Sequence, residues 1–191
     1  MRTLLSFAVV LLSGCASGPP PADWTLNASG ALKSFTQSYL IGDSRAAAIE
    51  FSKVKNEISS SGRLDLLARA ELVRCAARAA SLEFDNCPGF EALRADAGGE
   101  EIAYAEYLAG RGGHAASEDA LSRLVSAGVQ FNSGQANPET IASAVNIASA
   151  QGWRRPLLAW LGDQEKRAEA AGDRAALERI RRRIFLILEK N

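Results

Sequence analysis

Apolar side chains along this chain recur three and four residues apart, and no alternating run of strand length interrupts them. Leu32, Phe35 and Tyr39 predict a helix over 29–41. Gly42-Asp43 ends it, with glycine suited to the left-handed position after a helix and aspartate suited to capping the next one. A second helix follows over 44–58, with Ala48, Phe51 and Val54 on one face, and SSSG at 59–62 is its loop. The third, over 64–81, carries two apolar stripes, Leu66-Ala70-Val73-Ala77 and Ala68-Leu72-Cys75-Ala79, the pattern of a helix sandwiched between neighbours. An irregular piece over 84–99 holds one expected helical turn near 90–95.

A fourth helix is expected over 100–109, broken by GRGG at 110–113. A fifth, capped by Ser117, runs to about 131. Asn137-Pro138-Glu139 is the clearest helix start in the chain: a capping amide, a proline at the first position, then an acid. That sixth helix reaches 150, the seventh begins at 154–156, and a second Gly-Asp pair at Gly172-Asp173 introduces an eighth over 174–189. About eight helices with short links and no strand predict an all-α domain of stacked antiparallel hairpins over 24–191. Leu32, Phe35, Tyr39 and Ala48 fall at the spacing of a tetratricopeptide unit, and the first hairpin resembles one. Thr36 and Ser52 depart from that repeat's preferences, so the resemblance extends to tetratricopeptide-like hairpins, within either a solenoid or an irregular bundle.

The first residues follow another pattern. MRTLLSFAVVLLSGC has one cation, Arg2, and an apolar run over 4–12, too short to span a bilayer but of signal-peptide length. Leu12-Ser13-Gly14-Cys15 resembles the lipobox of bacterial lipoproteins. The resemblance implies that residues 1–14 are removed as a signal peptide and that the Cys15 thiol receives diacylglycerol. It further implies that the new amino group is acylated, giving about three chains, far more than marginal anchoring requires. Ala16 and Ser17 follow Cys15 where an aspartate would signal retention at the inner membrane, so the resemblance implies outer-membrane delivery, facing the periplasm. ASGPPPA at 16–22, within the lipidated-cysteine and proline-rich segment 15–23, then serves as an extended tether at ~3.1 Å per residue that holds the domain about 20 Å from the lipid.

If Cys15 carries lipid, Cys75 and Cys87 remain as an even pair in an oxidising compartment, which predicts a structural disulfide pinning the irregular segment. The whole chain has 22 basic and 22 acidic residues, which gives no electrostatic case for nucleic acid. The single histidine, His114, lies in a glycine-rich loop; it supplies neither a metal-ligand set nor an oriented base for a nucleophile, and a solvated surface position is expected. No strand precedes Gly110, Gly112 and Gly113 and no Gly-Lys-Ser/Thr follows, so they make an inter-helix loop rather than a phosphate cradle. Glu100-Glu101 suits a helix N-terminus, and Glu165 with Glu169 reads as a solvated face. No catalytic residue, metal, cofactor or small-molecule substrate is therefore expected.

The last helix has the most unusual surface. Leu177, Ile180, Ile184 and Leu188 make an expected inward stripe, yet Phe185, Leu186 and Ile187 spread apolar surface around the final turns behind four arginines. Either the helix is a buried closing element or it presents a patch for a partner. The candidate partner-binding residues are Arg182, Arg183 and Leu186, extended by Trp153, Arg154, Arg155 and Trp160 nearby in sequence. The leading functional expectation is a lipid-anchored, non-catalytic adaptor or assembly factor docking a periplasmic or outer-membrane protein. A cell-wall hydrolase is the alternative, favoured by a deep cleft holding a buried carboxylate; a structural envelope lipoprotein is the third reading.

Overall fold

The structure, a computed structural model, describes residues 22–114 and 117–189. Cys15, the apolar run before it and the proline-rich stretch to residue 21 lie outside the described residues. Among those described there is no strand, and nine helices follow in order. They are α1 (Asp23–Ile41), α2 (Ser44–Ser59), α3 (Leu64–Ala80), α4 (Pro88–Glu91), α5 (Gly99–Leu108), α6 (Ala120–Asn132), α7 (Pro138–Ala150), α8 (Arg154–Ala170) and α9 (Arg174–Leu188). A 3₁₀ turn at Arg94–Asp96 joins α4 to α5, so the expected single turn near 90–95 is two short pieces.

Helix α1 begins at Asp23, two turns before the expected start, because Ala22 is already extended and hands its carbonyl to Thr25 and Leu26. The Gly-Asp links behave alike. Gly42 (φ +94°) and Gly172 (φ +70°) take the left-handed conformation that a Cβ disfavours, and the following aspartate N–H closes back onto the helix just ended. The Asp43 carboxylate then accepts from Ala46 N at 2.8 Å, and that of Asp173 from Ala176 N at 2.9 Å. Asn137 caps α7 by accepting from Thr140 N at 2.8 Å. The cap of α6 is Asp119 rather than Ser117: Asp119 accepts from Ser122 N, and Ser117 donates its hydroxyl to Asp119 from the side.

Helix α3 is the centre of the stack, touching α1, α2, α4, α5 and α6. Both of its apolar stripes find partners. Ala70 joins Phe35, Phe51, Val54 and Ile58 in a small core with α1 and α2, while Ala68, Leu72, Cys75 and Ala79 belong to the main core. Within α2 the buried stripe starts at Ala47, not Ala48, which is exposed; Ala47, Phe51, Val54 and Ile58 repeat at the period that meets α1. The alanine at the tetratricopeptide spacing thus faces solvent. Gly128 lets α6 lie directly on α3: a Cβ there would press into the backbone carbonyl of Ala79. Beyond α6 the chain packs as successive hairpins, α6 on α7, α7 on α8 and α8 on α9, with α8 also touching α1.

Candidate docking surface

Helix α9 closes the stack and is bare on most sides. Among the described residues it makes its broad contact with α8 alone, and none of its residues is fully buried. Ile180, Ile184 and Ile187 pack against the main core. Leu188 turns outward and is half exposed, so the inward stripe ends at Ile187 rather than Leu188. A helix resting on one neighbour covers only a narrow apolar stripe, and Leu188 falls at its edge. Phe185 is 62% exposed and Leu186 69%, as an apolar patch on a partner-binding face would be.

The arginines around this patch divide into two sets. Arg181 reaches Glu165 on α8 at 2.7 Å, and Arg182 lies 3.9 Å from Glu178 within its own helix. Arg179 and Arg183, one turn apart, make no ion pair with a described residue. Exposed pairs of this kind contribute little to stability. The basic edge of α9 therefore has little structural reason to be where it is.

Trp153, Arg154, Arg155 and Trp160 do not extend the patch, contrary to the expectation from their proximity in sequence. Trp160 is fully buried; its indole N–H donates to the Ala80 carbonyl at 3.0 Å, and its ring meets the edge of Phe131. Trp153 is buried at the start of α8, where Arg154 is half-buried. Arg155 ties three elements together: Nε donates to the Tyr39 carbonyl at 2.8 Å and Nη2 to Ser44 Oγ at 2.6 Å, while Nη1 sits 3.4 Å from Glu83. Its guanidinium also covers the Tyr39 ring at 4.3 Å. These side chains hold α8 against α1–α3. An Arg-Arg-Pro helix start carries no sequence signal for that role.

Cys75 and Cys87 form a disulfide, with Cα atoms 5.8 Å apart. It fastens the start of α4 to the middle of α3 and helps floor a cleft of about 700 Å³ between α3, α5 and the end of α6. Glu91, Arg94, Glu106 and Arg111 line that cleft as a continuous ion-pair network: Arg94 bridges Glu91 at 2.8 Å and Glu106 at 3.3 Å, and Arg111 holds Glu106 at 2.5 Å. Hydrogen bonds from Arg94 and Arg111 hold the carboxyls of Glu91 and Glu106, respectively, below the usual range. A general acid for glycoside cleavage needs the opposite shift. The buried carboxylate among the described residues, Glu71, does not line this cleft; it pairs with Arg74 at 2.8 Å.

His114 is exposed, as expected, but it lies against two rings that sequence spacing did not connect to it, Tyr104 at 5.0 Å and Tyr107 at 5.2 Å. Burial pushes the Tyr104 hydroxyl up to about 12. No set of three metal-ligating side chains occurs among the described residues, and no described helix is long and apolar enough to cross a membrane. A second groove, about 620 Å³, runs along α7, α8 and α9, with Arg179 and Arg183 among its lining. Sequence reading found its arginines but not the groove, because its apolar floor is assembled from three helices.

The chain matches no protein-family model, no curated protein and no solved structure.

Proposed function

We propose that this protein is a non-catalytic docking module, held at the periplasmic face of the bacterial outer membrane by lipid on Cys15. Its last helix presents the docking surface. One observation carries the docking part: α9 holds Phe185 and Leu186 in water beside Arg179 and Arg183, which make no ion pair with a described residue. Large apolar groups ringed by Arg are the usual anchors of protein interfaces. The anchor rests on Leu12-Ser13-Gly14-Cys15 and the apolar run before it. The ion-paired cleft, with Glu91 and Glu106 held below the usual carboxylate range by Arg94 and Arg111, supports a binding protein over a cell-wall hydrolase.

The test is purification of the tagged protein from detergent-solubilised membranes of its native cells, as wild type, Leu186→Asp and Ile184→Asp. Leu186→Asp is expected to keep the wild-type melting temperature and lose the co-purifying protein. Ile184→Asp, on the packed side of α9, is expected to melt early. If Leu186→Asp retains its partner at wild-type yield, the α9 docking assignment fails.

A further inference from the structure

The groove along α7, α8 and α9 has an apolar floor and a basic rim. Ile141 of α7, Ala168 of α8, and Ala176 and Ile180 of α9 form the floor. The nearby charges are mostly committed. Arg167 is held by Asp163 at 2.7 Å, and the Asp173 carboxylate caps α9. Arg179 and Arg183 stand on the rim without an acid. Leu186 follows Arg183 by one turn, so its exposed side chain continues the same edge. A small polar ligand would find few converging hydrogen-bond groups on such a floor, whereas a helix laid between two flanking helices fills it with side chains.

We infer that this groove receives an amphipathic helix of a partner protein, with an apolar stripe flanked by Asp or Glu residues one turn apart. The inference rests on the docking reading above and specifies its partner. Two cations at i and i+4 match two acids at the same spacing on the incoming helix, and desolvation by the apolar stripe strengthens both contacts. Electrostatic complementarity of this kind also selects against basic helices.

Two peptides of roughly 18 residues, about five helical turns, serve as probes. One carries a leucine stripe flanked by glutamates, and its twin has lysines in their place. Fluorescence anisotropy against the detergent-solubilised full chain is expected to show the acidic peptide bound on the order of tenfold more tightly at low salt. Arg179→Glu with Arg183→Glu should invert that preference while leaving the melting temperature unchanged, since both side chains are exposed. Equal binding of the twins, no binding of the acidic peptide, or an unchanged preference in the double variant would overturn the groove assignment.

A photo-crosslinking amino acid in place of Gln164, inside the groove, or of Phe185, outside it, separates this inference from the reading beneath it. The inference predicts a product from position 164 in native cells, with the crosslinked partner segment rich in Asp and Glu. A neutral or basic segment there overturns it. A product from position 185 alone removes the groove and leaves the docking reading standing, and no product from either position removes both.

Discussion

Gly128 and Trp160 show how much of this fold hangs on single side chains that touch the backbone of α3. Gly128 sits against the Ala79 carbonyl and the Trp160 indole donates to that of Ala80, so two helices are fixed to successive residues at the end of α3. Gly128→Ala is expected to lower unfolding free energy by about 2–3 kcal/mol, read by urea titration, because the methyl must push against backbone rather than a flexible side chain. Trp160→Phe should cost a comparable amount, of which about 1–3 kcal/mol reflects the Ala80 carbonyl left buried without its donor. Neither contact was legible in the sequence. Gly128 lay in an expected helix with nothing to mark its close approach to α3, and Trp160 was expected on a partner-binding surface, whereas packing buries it. At the same scale, hydroxyl hydrogen bonds from Ser117 and Ser122, together with the Ser122 N–H, bring the Asp119 carboxyl down to about 2. A carboxyl depressed in the folded state stabilises above its unfolded value, near 4, and loses that contribution as pH falls toward about 2. Asp119→Ala should therefore lower stability by about 1 kcal/mol at neutral pH and flatten the acid limb of the stability curve.

Among the elements, the legible ones were those that end in turn chemistry. Gly42-Asp43, Asn137-Pro138 and Gly172-Asp173 fixed three helix boundaries where the structure has them, because each residue's backbone preference matches the conformation required. The start of α1 was missed because Ala22 offers no capping side chain, while Ser29-Gly30 imitates a start within the helix. The α4 segment depends on a covalent link instead of periodicity. With the bonded cysteines twelve positions apart in sequence, the disulfide should contribute about 3 kcal/mol. Cys75→Ala with Cys87→Ala is expected to lose that stability and to speed amide exchange in 88–96 while α1 and α2 stay protected. Uniform acceleration across the domain would show instead that α3 itself depends on the bond. The contrast on α9 follows from its single packed face: charge at Leu186 meets water, and charge at Ile184 meets the core.

At the scale of the molecule, the described helices form a run of hairpins in which α9, among the described residues, packs broadly on α8 alone. All-α architecture and the sandwiched position of α3 were readable from apolar spacing. The groove over α8 was not, since it exists only once α7 and α9 flank the same helix. A bare terminal helix is a liability for a protein free in solution. It becomes useful when a tether fixes the domain beside its partner and raises their effective concentration. The account therefore turns on Cys15, and the most direct test is metabolic labelling with an alkyne analogue of palmitate, comparing wild type with Cys15→Ser in the full chain. The account predicts a labelled, processed, membrane-bound wild type and a variant that is unlabelled and retains residues 1–14; equal labelling of the two proteins would contradict it.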